Sequence, residues 1–413
     1  MSVRGNQKID QKSGRAINRQ MILNLVRRTG GMSRSELSSE TGLSAAAVGF
    51  VVKELLESGY LIEEQPRDSR SGRRPVPLRL NHEGHLAIGL KLGLHRLDCI
   101  LTDMAMQPLD QQSTPLTSHE PEVVVEAARV AVSTVLARRK GRPQRPILGV
   151  GWSMPGRLAV EQGLCIRSLR FKWADVPIGP MLSEALGLPV FIEDDTLAYG
   201  LAHYLFGLGQ QQEVFSVLAV GEGLFYATVI AGQVWRGHLG NAGKVGHIVH
   251  AEEGQVCECG RVGCLQTHFS VTALERRWLE VEAGPPLARG VEAGPPLARG
   301  PVRRSGSKGR EGLRPQSLQE AVAAGDERAL ALVGDAGAVL GRYLAGWVTV
   351  TDPEHIILGG ESVAFGDAFV EPMQRALDRY YYREQGPKII RDGTSFYWTA
   401  GAAATVMRHI FDQ

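Results

Sequence analysis

The chain of 413 residues carries 46 basic and 44 acidic side chains, and 43% of it is hydrophobic but only 6% aromatic. At about 150 residues per domain, this length predicts two or three domains around ample core, and the composition excludes global disorder. No run of about 18 apolar residues stands out, and the opening MSVRGNQKID lacks a signal-peptide core. Neither a membrane span nor secretion is expected, and the protein reads as cytoplasmic. Five cysteines, three of them between 257 and 264, argue for a metal site rather than a disulfide framework.

The near-neutral charge is unevenly spread. Residues 1–80 hold 14 Lys and Arg against 8 Asp and Glu, whereas 81–413 hold 32 against 36. A basic head on a mildly acidic body suits polyanion binding. Within the head, Ile17, Met21, Ile22, Leu25 and Val26 recur at helical spacing over 15–29, and Gly30-Gly31 ends that helix. Ser33 and Glu36 match a capping box opening a second helix, with Leu37 turned inward. After a turn at Gly42-Leu43, Ser44 caps a third helix whose apolar face is Val48, Val51, Val52, Leu55 and Leu56.

Two helices joined by so short a turn predict a helix-turn-helix, the second being the recognition helix. Ser44, Ala45, Ala46, Ala47 and Gly49 would lie near the groove, where small side chains admit the backbone but make few base contacts. Lys53 is expected on phosphate. YLIEE and LRLN read as the strands of a wing, its tip crowded by Arg67, Arg70, Arg73 and Arg74, suited to phosphate or a minor groove. Double-stranded DNA is the expected partner of residues 1–80.

From Gly84 the pattern becomes strand, helix and glycine-rich turn in alternation, which implies an α/β body over 81–413. VEAGPPLARG occurs twice in succession, at 281–290 and 291–300, followed by PVRRSGSKGREGLRPQ. So little apolar surface predicts a disordered insertion over 281–316. Upstream of it, His247, Cys257, Cys259 and Cys264 are spaced H-x9-C-x-C-x4-C. Three thiolates and an imidazole are a tetrahedral set for structural zinc, with His250 and His268 as rival nitrogen ligands. Gly254, Gly260 and Gly263 supply the tight turns. Cys99 and Cys165 lie on apolar strands and read as core residues.

Three features together resemble the ROK family: the wing ending in Gly72-Arg73-Arg74-Pro75, the AGxxGH…CxCGxxGCL segment around the cysteines, and the late Leu358-Gly359-Gly360 turn. The resemblance covers nearly the whole chain outside 281–316. It implies a two-lobed actin/hexokinase-type body, zinc beside a sugar pocket, and homodimers or homotetramers. The family contains repressors of N-acetylglucosamine and xylose genes as well as sugar kinases such as glucokinase.

Departures from the kinase pattern decide between those branches. Where the kinases have D-x-G-G-T, this chain has Lys91-Leu92-Gly93-Leu94-His95; where they have G-T-G-x-G-G-G, it has Gly221-Glu222-Gly223-Leu224-Phe225-Tyr226-Ala227. A lysine replaces the acid that helps hold Mg²⁺, a glutamate repels triphosphate, and Phe225 and Tyr226 would crowd phosphate. Asp195 matches the catalytic aspartate, but Lys244 and Gln266 replace two sugar-binding glutamates. The resemblance therefore implies an effector site of Asp194, Asp195, Lys244, His247 and Gln266 without catalysis. Lys244 would either pair with Asp194 or Asp195 or receive an anionic sugar derivative. The chain is expected to be a DNA-binding repressor of sugar-related genes; the alternatives are a ligand-independent scaffold acting through a protein partner and an ATP-dependent sugar kinase.

Overall fold

The structure, a computed structural model, describes residues 11–64, 76–283 and 316–411. Helix α1 (Gln11–Thr29) opens the head, followed by α2 (Arg34–Thr41) and α3 (Ala45–Glu57). The Ser33 hydroxyl accepts from the Glu36 amide while the Glu36 carboxylate accepts from the Ser33 amide, the reciprocal cap that the spacing predicts. Gly42 ends α2 at φ 70°, a backbone geometry that favours glycine. Ser44 caps α3 through the Ala47 amide, and Val48, Val51, Val52 and Leu55 are buried. Strands β1 (Leu61–Glu63) and β2 (Leu78–Leu80) pair antiparallel as the base of the wing. Its expected tip, with Arg67, Arg70, Arg73 and Arg74, lies outside the described residues.

The stripe expected on α1 needs correction. Ile17 and Met21 are exposed, and Leu23 is buried beside Ile22 and Val26. The helix serves two surfaces, since the hydrophobic cluster holding these residues also contains Met407 and Phe411 from the far end of the chain.

In the first lobe come β3 (Leu86–Leu92), β4 (Arg96–Asp103), β5 (Pro108–Pro115), α4 (Pro121–Ala137), β6 (Ile147–Met154), β7 (Arg157–Ala159), β8 (Leu164–Ser168), β9 (Trp173–Val176), α5 (Ile178–Leu186), β10 (Val190–Asp194) and α6 (Asp195–Phe206). The second lobe comprises β11 (Val214–Val220), β12 (Leu224–Ile230), β13 (Gln233–Val234), α7 (Leu265–Phe269), α8 (Val271–Ala283), α9 (Leu318–Ala323), α10 (Glu327–Thr351), β14 (His355–Gly359), α11 (Asp367–Tyr380) and β15 (Lys388–Arg391); α12 (Phe396–Phe411) returns to the first.

Each lobe is built on a five-stranded sheet, in order β10-β6-β3-β4-β5 and β13-β12-β11-β14-β15. In both, the first three strands in sequence form an antiparallel meander, and two later strands add in parallel beside the meander's first strand. The small-residue helix α12 lies on the first sheet because glycines receive it. A Cβ on Gly89 would stand 2.7 Å from the Ala403 nitrogen, and one on Gly151 would overlap the Ala402 carbonyl.

Two expectations meet departures in the second lobe. Helix α8 continues to Ala283, three residues into the stretch expected to be disordered, while 284–315 lie outside the described residues. Helix α10 is long and apolar enough to cross a membrane, although no such apolar run was expected. It is a core helix: Leu332, Val333, Leu340, Leu344 and Val348 are buried, and Gly337 and Gly341 admit the backbone of α11.

Candidate metal centre and effector cleft

Between the lobes lies a cleft of about 1530 Å³ whose walls carry Asp194, Asp195, Lys244, His247 and Gln266 together. Asp194 ends β10 and caps α6, its Oδ1 accepting from the Thr196 amide at 3.1 Å. Its other oxygen faces Lys244 Nζ of the opposite lobe at 3.5 Å. That ammonium also donates to the Gly156 carbonyl at 3.2 Å and stands 5.1 Å from the centre of the Phe225 ring. Lys244 therefore ties the lobes through Asp194, leaving Asp195 half-buried on the cleft wall. Burial pushes the Asp194 carboxyl up to about 6; Lys244 opposes the rise, and Asp195 and Glu193 add to it.

A second tie was not legible in the sequence. Arg170, on the loop between β8 and β9, pairs with Glu222 at 3.0 Å and approaches Glu258 at 3.7 Å. Glu222 is thus neutralised by the opposite lobe rather than standing as bare negative charge. Nor does Tyr226 crowd the cleft as expected. Strand alternation turns it into the second-lobe core, where its hydroxyl meets Thr351 Oγ1 at 2.9 Å, and Phe225 alone takes the cleft side. On the same side, a Cβ on Gly221 would collide with the Glu361 carboxylate. Lys91 points its ammonium at the Trp398 ring, 5.7 Å from the centre.

The cysteine loop folds as a knuckle closed by bridges between Val249 and Cys264 and between Val256 and Val262. Gly260 and Gly263, at φ 87° and 69°, make turns that a side chain would strain. The donor atoms of His247, Cys257, Cys259 and Cys264 all lie within 4.8 Å of one another, so the four can share one metal ion. His250 and His268 stand apart as a ring pair, and His250 is bonded to the Tyr343 hydroxyl. Burial holds the His247 imidazole below its ordinary value, which favours the neutral, metal-binding form. Gln266 donates to Cys257 Sγ at 3.4 Å and to Glu258 at 3.2 Å. Its amide supports the cysteine cluster while the residue also lines the cleft, so the cysteine knuckle forms one wall of the cavity.

On the head, Ala45 and Ala46 are exposed at the start of α3, Ser44 spends its hydroxyl on the cap, and Lys53 is exposed with Glu57 at 3.8 Å. Phe50 was not singled out by sequence, yet it is 54% exposed on the same helix beneath Arg15. Its i+2 offset from buried Val48 is what places it outward.

The ROK family pattern matches residues 87–395. The chain belongs to the ROK family. A winged helix-turn-helix DNA-binding pattern matches residues 15–62 of this ROK protein. It is 27% identical over 365 residues to the xylose repressor of Caldicellulosiruptor bescii, with 88% of each chain covered. In fold it is similar to a ROK family transcriptional regulator described as a homologue of the E. coli MLC protein, at a TM-score of 0.79 and 24% identity over 96% of this chain and 97% of that one. The ROK hexokinase of Thermus thermophilus shares the body at a TM-score of 0.60 and 26% identity, over 79% of this chain and 100% of the hexokinase.

Proposed function

We propose that this ROK protein is a cytoplasmic repressor of carbohydrate-related genes. Its head reads operator DNA, its cleft receives a sugar-like effector, neutral or anionic, and its cysteine cluster holds structural zinc. The observation that carries this reading is the state of the phosphate-binding side of the cleft. There Glu222 is locked to Arg170 and the Glu361 carboxylate is packed on Gly221, on a body joined to a helix-turn-helix. Triphosphate would have to break the Arg170–Glu222 pair and displace the Glu361 carboxylate to reach the backbone amides it needs. Asp195, with no phosphoryl donor to serve, remains a hydrogen-bond acceptor for a ligand.

Zinc is supported by the donor spacing. Metal–sulfur bonds of about 2.3 Å in a tetrahedron set two sulfurs about 3.8 Å apart. Cys259 Sγ and Cys264 Sγ are 3.6 Å apart, and Cys257 Sγ is 3.4 Å from His247 Nδ1. A homodimer or homotetramer of such chains presents paired heads, which suit a roughly palindromic operator. Contacts to it are assigned to Ser44, Ala45, Ala46, Lys53, Arg70, Arg73 and Arg74. The test is selection of bound fragments from genomic DNA by the full-length chain, repeated with xylose, N-acetylglucosamine, their phosphates and sugar acids. A palindrome released by one compound supports the reading. A palindrome that no compound releases favours a ligand-independent scaffold acting through a protein partner, for which the two ion pairs that tie the lobes across the cleft are the motive. Failure to enrich any fragment rejects the DNA assignment.

A further inference from the structure

Two helices run from the cleft to the head. Helix α6 begins at the Asp194 cap and spans about 18 Å at 1.5 Å per residue. Every residue from Thr196 to Leu205 is buried, so its two ends cannot move independently. Near its far end, the Leu205 carbonyl accepts from Arg27 Nη1 of α1 at 2.9 Å. The Arg27 guanidinium also stands over two rings, 5.3 Å from the centre of Tyr204 on α6 and 5.5 Å from that of Phe411 on α12.

Helix α12 follows the same course. Trp398 and Thr399 in its first turn line the cleft, and its last residue, Phe411, accepts from Asn24 Nδ2 of α1 at 2.5 Å. The two helices touch backbone to backbone, since a Cβ on Gly401 would stand 2.8 Å from Ala198. They are also joined by charge. Glu193, beside Asp194, pairs with Arg408 of α12 at 3.1 Å and with Arg236 on the segment leading to Lys244. At the other end, Ile22, Leu23 and Val26 of α1 share one apolar core with Val48, Val51 and Val52 of the recognition helix.

We propose that α6 and α12 act as one lever, and that Arg27 is the positioning residue that hands the state of the Lys244–Asp194 tie to the DNA-reading head. The inference rests on the reading above, in which the cleft takes an effector and the head takes DNA. An effector that draws Lys244 or Asp194 to itself releases the cap end of α6. The far end, gripped by Arg27, then moves α1 and with it α3. Communication is carried by packed, buried helices with few internal degrees of freedom.

A double-mutant cycle on the full-length chain tests this without a known effector. The probe is the duplex most enriched from genomic fragments by the unaltered chain, and the perturbation at the cleft is Lys244→Ala. The expected result is a loss of duplex affinity of at least about 5-fold in the native background, the low end of measured allosteric couplings, and under about 2-fold in an Arg27→Ala background. An equal loss in both backgrounds, or no loss in the native one, overturns the proposal. Arg27→Gln replaces Arg27→Ala if thermal melting reports misfolding. If no duplex is enriched, the DNA assignment fails on its own, and hydrogen exchange judges the lever. Lys244→Ala should speed amide exchange over 17–29 in the native background and not with Arg27 replaced; equal speeding in both, or none in the native chain, overturns it.

Discussion

Asp194 makes stability depend on pH in a way that can be isolated. Its carboxyl sits at about 6 in the folded chain, against 3.8 for an ordinary aspartate, with burial as the main cause. A raised carboxyl binds a proton more tightly when folded than when unfolded. Between about pH 4 and 6 the folded state therefore holds the extra proton, and stability falls as pH rises through that window. At 1.36 kcal/mol per unit, the difference amounts to about 3 kcal/mol, lost in full above pH 6. Asn in place of Asp194 keeps the α6 cap, because asparagine caps helices as well as aspartate does, yet it cannot ionise. The Asp194→Asn chain should match the parent near pH 4 and exceed it at pH 7.5 by up to about 3 kcal/mol. Urea unfolding of both chains at the two pH values, followed by the same probe, gives the difference. Were the gap between the chains to stay within about 0.5 kcal/mol across that range, the buried-carboxylate argument would be wrong.

Other expectations follow from the same geometry. Protein purified without chelator should contain one zinc per chain by elemental analysis, lost together with thermal stability in Cys259→Ser; absence of metal would refute the cluster's role. Gln266→Leu, which removes the amide donor to Cys257, should weaken metal affinity about 10-fold in competition with a chromophoric chelator. Paired Arg73→Ala and Arg74→Ala changes should leave melting unaltered while lowering DNA affinity at every sequence, with the salt dependence shallower by about two phosphate contacts. Gly151→Ala, which forces a methyl into the Ala402 carbonyl, should destabilise by about 1–3 kcal/mol or prevent folding, as chemical denaturation would report.

The head was legible because its signals are local. A capping box, a glycine C-cap and an apolar repeat each act within a few residues, and Ser33, Gly42 and Ser44 do what their spacing predicts. The cysteine knuckle was legible for the same reason, since its four donors fall within 18 residues and its glycines sit between them. Ile17 and Met21 of α1 are exposed against the local periodicity because the face a helix buries depends on its neighbours. One of those neighbours, Phe411, lies at the opposite end of the chain.

What the amino-acid sequence determined by itself is the inventory: a winged helix-turn-helix, an α/β body, a Cys–His cluster spaced to hold a metal, and charged residues at Lys91 and Glu222. Periodicity, capping and donor spacing operate over one or two turns of chain, so they can be read without the fold. Tertiary structure alone decided the pairings. Lys244 takes Asp194 rather than Asp195, Arg170 takes Glu222, Tyr226 turns inward, and Arg27 grips Leu205. Each joins residues from separate elements, some more than a hundred positions apart, and charge or polarity by itself leaves several partners open. Sheet order and helix packing bring one of them within reach.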